Sequence, residues 1–252
     1  MEVYLNYGIK YVGHKKIIKS MKRILLTFNS SNYKRGNKKL FDGTFSKYFD
    51  EIINYDENDL DPYILNIVKE IFKLTQWDRG FGYWIWKPYI ISQELKKLKS
   101  GDILFYLDSH FNFNDESLIE QITKDLKKDK NGLFWGNDAS SNDIEWTTPY
   151  LVNAVETELN YKFSYDELMQ EHGDAGLLFI KKNRFTVNFF KKWFDIMIKH
   201  KLEISDHYNG KAHELNNNFK ENRHDQSVFN LMVKYYKLIS PRYILYWQWG
   251  SE

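Results

Sequence analysis

An acidic residue and a histidine that follow an apolar run are the strongest chemical signal in the sequence. Residues 103–107 are uniformly apolar, and Asp108-Ser109-His110 comes directly after them. Alternate residues at the end of a strand can converge on one ion if the chain turns there. A carboxylate oxygen with an imidazole nitrogen suits Mn²⁺ or a similar divalent ion. The same residues also fit a turn in which Asp108 caps a following helix and His110 lies in solvent.

A second candidate segment opens the last apolar helical pattern of the chain. It reads Arg223-His224-Asp225-Gln226-Ser227. The positive end of a helix attracts anions, and His224 and Asp225 could meet an anion or a metal there. The alternative is a simple N-cap, with Asp225 capping the helix and His224 solvated.

Residues 78–88 combine glycines with charged and aromatic side chains. Two glycines would let the backbone approach a ligand closely. Arg79 and Lys87 could pair with phosphate, and the aromatic residues offer stacking faces. A helix start buried by aromatic residues explains the same pattern.

The segment His172-Gly173-Asp174-Ala175-Gly176 precedes another apolar run. Its small residues leave room for a ligand, and Asp174 could accept hydrogen bonds from sugar hydroxyls. A tight turn in which Asp174 bonds its own backbone accounts for these residues equally well.

Composition limits the classes of function. The chain has 252 residues, and 36 basic against 34 acidic residues leave a net charge of +2. That balance excludes the electrostatic footprint of a nucleic-acid-binding protein. The absence of cysteine excludes disulfides and cysteine-ligated zinc. No run of apolar residues is long enough to span a bilayer, so we expect a soluble protein with at most peripheral membrane contact.

In their order, these segments resemble GT-A-type nucleotide-sugar glycosyltransferases, and in particular the majastridin-like group of bacterial surface-polysaccharide glycosyltransferases. The resemblance covers about residues 21–238. It rests on residues 79–88, 101–108, 172–176 and 224–227, which follow a first strand and its loop.

The resemblance implies a divalent cation, Mn²⁺ or another such as Mg²⁺, bound against the donor diphosphate. GT-A enzymes carry an Asp-x-Asp motif after a central strand. Here Asp108-Ser109-His110 departs from it and resembles the Asp-x-His form of polypeptide N-acetylgalactosaminyltransferases. Those enzymes add a distant histidine, for which His224 is the candidate and His172 the alternative.

The resemblance also implies substrate contacts, with the nucleoside in the loop 28–33 and the sugar and acceptor near Asp174. The implied binding residues are Phe28, Ser30, Tyr33, Arg79, Tyr83, Trp86, Lys87, Tyr106 and Asp108. The implied catalytic residues are Asp174, Asp225 and Gln226.

We therefore expect a metal-dependent hexosyltransferase that moves a hexose or N-acetylhexosamine from a nucleotide sugar, with UDP favoured, to a glycan acceptor. Asp174 is the natural general base if the reaction inverts configuration. Similar motifs in retaining galactosyl- and N-acetylgalactosaminyl-transferases favour retention slightly.

The alternative is a catalytically weak or inactive GT-A-fold protein that binds a nucleotide or glycan. A metal-dependent hydrolase and a structural interaction protein are further alternatives. The expected location is the cytoplasm or the inner face of a membrane.

The elements that must position these residues alternate between strand and helix. This alternation is typical of an α/β fold, here a GT-A-like single domain over 21–252 with a mixed, mostly parallel central sheet flanked by helices. Residues 1–20 are either a loosely attached extension or an ordinary N-terminal helix or edge strand. The predicted strands are 24–28, 103–107, 133–136, 176–180 and 242–248. The predicted helices are 44–54, 61–75, 84–99, 115–128, 185–200 and 225–238, with a loop or lid over 201–223.

Overall fold

The computed structural model describes residues 21–31, 45–75, 79–111 and 115–241. The predicted extension 1–20, the predicted strand 242–248 and the candidate residue Tyr33 lie outside the described residues.

The described chain forms one sheet in the order β2-β1-β3-β5-β4. Strands β1, β2 and β3 are parallel, whereas β5 runs antiparallel to both of its neighbours, β3 and β4. Four of the five strands therefore point the same way, which confirms the predicted α/β class with a mostly parallel sheet. The strands are β1 Arg23–Phe28, β2 Glu51–Tyr55, β3 Ile103–Leu107, β4 Leu133–Asn142 and β5 Glu171–Lys181.

Helices flank the sheet on both sides. They are α1 Pro62–Thr75, α2 Gly80–Tyr83, α3 Trp86–Lys97, α4 Glu116–Lys128, α5 Asp143–Trp146, α6 Pro149–Leu159, α7 Tyr165–Leu168, α8 Arg184–Lys199, α9 Asn209–Leu215 and α10 Asp225–Tyr235, with 3₁₀ turns at Ser46–Tyr48 and Asp206–Tyr208. None of the described helices has both the length and the apolar character needed to cross a bilayer.

Strand β3 is buried on both faces, as its unbroken apolar run predicts. Leu104 and Tyr106 belong to a large core with residues of α1, α3, α8 and α10. Phe105 and Leu107 belong to a second core beneath α4. Because side chains alternate along a strand, β3 contributes side chains to both cores. Its packing between them fixes the position of its carboxyl end.

Several sequence-based boundaries were wrong. The predicted helix 44–54 is a 3₁₀ turn followed by β2, because residues 51–55 pair with β1 and this tertiary pairing overrides local preference. The predicted loop 201–223 contains α9. Strand β5 begins at Glu171, so His172 and Asp174 lie in a strand and not in the loop before it.

A nearly buried carboxylate ties the start of β3 to its surroundings. Asp102 is 8% exposed. Its Oδ1 accepts a hydrogen bond of 2.9 Å from the Lys22 backbone N–H, and its Oδ2 accepts one of 2.9 Å from the Lys99 backbone N–H. One side chain thus joins the segments before β1, after α3 and before β3.

We expect Asp102→Ala to lower the free energy of unfolding by about 1–2 kcal/mol, since two partly buried backbone N–H groups lose their acceptor. Chemical denaturation followed by circular dichroism measures this. The exposed Asp166 provides the control, because Asp166→Ala is expected to change the stability by less than about 0.5 kcal/mol. Equal stability of the two variants would contradict the role given to Asp102.

Candidate functional site

The four segments identified in the sequence converge on one cavity of about 340 Å³. The cavity lies beyond the carboxyl end of β3, the edge at which α/β sheets bind ligands. Its lining residues are Arg79, Trp84, Lys87, Asp108, His110, Phe111, Ser141, Trp146, His172, Asp174, Arg223, His224, Asp225 and Gln226.

The ammonium of Lys87 lies at the centre of a buried group of carboxylates. Lys87 is 2% exposed, and its Nζ lies 2.7 Å from Asp225 Oδ2 and 3.3 Å from Asp108 Oδ2. Burial alone lowers the pKa of Lys87, but the charges of Asp108, Asp225 and Asp174 outweigh burial and raise it. Lys87 is therefore charged.

Asp225 is the most deeply buried of these carboxylates, at 3% exposure. Burial raises its pKa to about 6, although Lys87 opposes the shift. Asp225 thus takes up a proton more readily than an ordinary aspartate. The predicted alternative, in which Asp225 caps α10, is wrong, because the N-cap position belongs to His224 and shows no side-chain cap.

Asp108 is held at both of its oxygens. The Tyr106 hydroxyl donates to Oδ1 over 2.5 Å, and Lys87 approaches Oδ2. Burial and the charge of Asp108 raise the pKa of Tyr106 well above its usual value, so the hydroxyl remains a donor. The alternative in which Asp108 caps the next helix is wrong, since Asp115 caps α4.

His224 is buried, at 2% exposure, which contradicts the alternative that it is solvated. Its Nδ1 lies 2.6 Å from the Ile204 carbonyl oxygen. A carbonyl can only accept, so Nδ1 carries the proton and Nε2 holds a lone pair. That Nε2 has no hydrogen-bond partner among the described residues. Burial, with the charge of Arg79, lowers the pKa of His224 to about 3, and the ring is neutral.

Asp174 lines the cavity from β5, and Gly176 lies two residues further along the same strand. Asp174 Oδ1 accepts a hydrogen bond of 2.7 Å from the Gly176 N–H, so the predicted bond to its own backbone exists, but within a strand. A Cβ atom on Gly176 would lie 2.8 Å from Asp108 Oδ2 and 2.9 Å from Asp174 Oδ1. The missing side chain of Gly176 therefore makes room for two carboxylates.

A left-handed turn precedes Lys87. All five residues from Gly80 to Trp84 have φ between 50° and 84°. The conformation costs about 1–2 kcal/mol for each residue other than glycine. The turn brings Trp84 to the cavity, where its ring stacks on His224 with centroids 5.7 Å apart. The glycines of this segment thus serve the turn: a Cβ on Gly80 would lie 2.4 Å from the Trp84 ring.

Part of the predicted binding set lies away from the cavity lining. Phe28 and Trp86 stack on each other in the core with centroids 3.8 Å apart, and Tyr83 is fully buried. Tyr106 does not line the cavity but contacts two residues that do, through its hydrogen bond to Asp108 and through its ring, whose centroid lies 5.5 Å from Lys87 Nζ. Ser30, just after β1, does not line this cavity either.

Trp146 and Arg223 form a cavity wall that sequence analysis did not assign. The Arg223 guanidinium carbon lies 4.1 Å from the centroid of the Trp146 ring. Arg223 belongs to the second candidate segment, 223–227, whereas Trp146 belongs to the short helix α5, for which no sequence pattern gave a signal.

A divalent cation would find suitable donors here. Within the described ranges no three acidic or histidine side chains stand close enough to form a ready metal site. Asp108, His110 and His224 nevertheless line one cavity, and burial lowers the pKa of His110, which favours its neutral form. The lone pair of His224 has no hydrogen-bond partner among the described residues, and Asp206 Oδ1 lies 3.7 Å from its Nε2. Carboxylate oxygen with imidazole nitrogen fits Mn²⁺.

No protein-family model matches the chain, and no curated protein matches it. The fold and the cavity define an α/β protein with a mostly parallel sheet and a charged pocket at the carboxyl end of its central strand.

Gly176→Ala tests the packing of the carboxylates. The new Cβ would also lie 2.6 Å from Phe111 Cε2, and we expect a loss of about 1–3 kcal/mol in unfolding free energy from overpacking. Gly210 lies in α9 with nothing within 4 Å of a Cβ. Gly210→Ala is therefore the matched control, neutral or stabilising by up to about 1 kcal/mol. Denaturation curves that place Gly176→Ala level with the wild type would refute the packing described.

Proposed function

We propose that this protein is a metal-dependent glycosyltransferase of the GT-A type. It transfers a hexose or N-acetylhexosamine from a nucleotide sugar, with UDP as the favoured nucleotide, to a glycan acceptor. The observation that carries the proposal is the convergence of four segments, spread from Arg79 to Gln226, on one cavity at the end of β3.

The cationic side chains of the cavity suit a diphosphate leaving group. Negative charge develops on the diphosphate as the glycosidic bond breaks, and preorganised positive groups stabilise it. Lys87 is fixed by two ion pairs, and Arg79 and Arg223 line the same cavity. A cation held by Asp108, His110 and His224 would add Lewis-acid neutralisation of the diphosphate.

The remaining lining residues suit a sugar. Asp174 offers a carboxylate and Gln226 an amide, which accept and donate hydrogen bonds to hydroxyls. Trp84 and Trp146 add flat apolar faces at the same cavity. Asp225 lines the same cavity and pairs with Lys87, so its charge helps to fix the ammonium that faces the diphosphate.

The partners and the location of the protein follow from the reaction. We place the protein in the cytoplasm or at the inner face of a membrane, where nucleotide sugars are available to it. Nucleic acid is not a proposed partner, since the net charge is only +2.

One observation favours a second candidate, a nucleotide- or glycan-binding protein without turnover. Both oxygens of Asp108 already have partners, Tyr106 and Lys87. A metal that binds Asp108 must therefore displace or share one of these contacts. The experiment that tests transfer separates the two candidates.

We expect UDP to raise the melting temperature in the presence of Mn²⁺ and not in its absence. A ligand at one hundred times its Kd stabilises the folded state by about 2.7 kcal/mol, which for this length is a shift of roughly 5–10 °C. Differential scanning fluorimetry with UDP, UDP-glucose, UDP-galactose and their N-acetylhexosamine counterparts measures it. Asp108→Asn should abolish the Mn²⁺-dependent shift.

The exposed His213 supplies a control, since His213→Gln should shift like the wild type. UDP release with a panel of p-nitrophenyl glycosides as acceptors then reports transfer. A shift without UDP release supports the binding protein. The absence of a shift with every nucleotide would overturn the donor site itself.

A further inference from the structure

A second buried histidine, His172, also lines the cavity, but it is paired with a carboxylate. Its side chain is 1% exposed, and its Nδ1 lies 2.6 Å from Oδ1 of Asp143, which is fully buried. The other oxygen of Asp143 pairs with the ammonium of Lys234. These three residues come from β5, α5 and α10.

The pairing fixes the tautomer of His172. A carboxylate accepts hydrogen bonds, so Nδ1 carries the proton and Nε2 holds the lone pair. Nε2 has no hydrogen-bond partner among the described residues. An imidazole oriented by a buried carboxylate at one nitrogen, with a lone pair at the other, has the arrangement of a general base.

The strand geometry places His172 beyond the carboxylate cluster. His172 and Asp174 are two residues apart on β5 and line the same cavity. Two residues of a strand span roughly 7 Å, and Asp174 bonds the N–H of Gly176, which lies beside Asp108. His172 therefore lies further from the carboxyl end of β3, measured along β5, than Asp174 does.

A fixed carboxylate orients the His172 ring. Asp143 faces His172 with one oxygen and pairs with Lys234 through the other, so it cannot turn away from the ring without losing an ion pair. By contrast, Asp174 Oδ1 is already engaged by the Gly176 backbone N–H.

We propose that His172 is the general base of the glycosyl transfer and that the transfer inverts the anomeric configuration. The inference rests on the proposed function. The acceptor hydroxyl gives its proton to Nε2 as its oxygen forms the bond to the anomeric carbon. The bond from that carbon to the diphosphate breaks, and its electron pair leaves on the nucleoside diphosphate. Asp143 stabilises the imidazolium, which then returns the proton to solvent.

Inversion follows from the proposed step. In a single displacement the activated acceptor attacks the anomeric carbon from the face opposite the departing diphosphate, and the configuration of that carbon is inverted. Asp143 and Lys234 act as positioning residues. Substitution of Asp143 should lower kcat and leave the KM for the donor unchanged, because Asp143 contacts His172 and Lys234 and does not line the cavity.

The test compares wild type, His172→Ala and His172→Gln in UDP release from UDP-sugars, with p-nitrophenyl glycosides and with water as acceptors. We expect both variants to lose about a hundredfold or more in turnover, the range for general bases, and to keep the Mn²⁺-dependent melting shift with UDP. Added imidazole should raise the turnover of His172→Ala at least tenfold and should leave the turnover of His172→Gln unchanged. Proton NMR of the product should show inverted configuration.

Each other outcome has a distinct meaning. Turnover at the wild-type rate in both variants, or a product of retained configuration, overturns the role of His172 and leaves the glycosyltransferase proposal standing. Glutamine fills about the same space as histidine. Loss of the Mn²⁺-dependent shift in His172→Gln would therefore overturn the general-base role and indicate that His172 is a metal ligand. A wild-type protein that binds UDP and releases none from any donor overturns both the proposed function and this inference. Asp143→Asn and His213→Gln complete the set as the positioning variant and the control.

Discussion

The site depends on one buried ammonium. Lys87 belongs to α3, Asp108 follows β3, and Asp225 begins α10, so the two ion pairs of Lys87 join three elements that are distant in sequence. A buried charge without a partner costs several kcal/mol, which makes the three groups mutually dependent. The fold retains this costly arrangement at the cavity, where a hydrophobic contact of similar size would hold the elements together at least as well. Buried ionisable groups of this kind are typical of functional sites.

Backbone strain accumulates around the same ammonium. The left-handed turn from Gly80 to Trp84 ends three residues before Lys87, and His224, just before Asp225, has φ 55°. Strained conformations persist only where the surroundings determine them, and they concentrate at functional sites. Here the Trp86 ring, packed on Phe28, donates from Nε1 to the Gly80 carbonyl, and the Trp84 ring covers His224. The aromatic residues of this segment thus hold the turn in place, and the turn determines the position of Lys87.

The sequence identified several charged residues that meet at the cavity, but it did not identify all of the cavity walls. Asp108, Lys87, His224 and Asp174 could be found because each follows or opens an element with a clear apolar pattern. The pairing of His172 with Asp143 could not, since the two residues are 29 apart in sequence and meet only through the irregular pairing of β4 with β5. Strand β2 was missed for a related reason: residues 51–55 become a strand by pairing with β1, a contact that local sequence does not encode.

The two buried histidines of the cavity show how one side chain serves two kinds of chemistry. Each donates from Nδ1 and keeps a lone pair on Nε2, yet their acceptors differ. His224 donates to a carbonyl and lies close to Arg79, and with a pKa near 3 it remains neutral at physiological pH. Such a ring is a poor proton acceptor but a suitable metal ligand. His172 donates instead to the carboxylate of Asp143. The two rings thus share a tautomer and differ in the group that fixes it, and in the proposals above the first holds a cation while the second takes a proton.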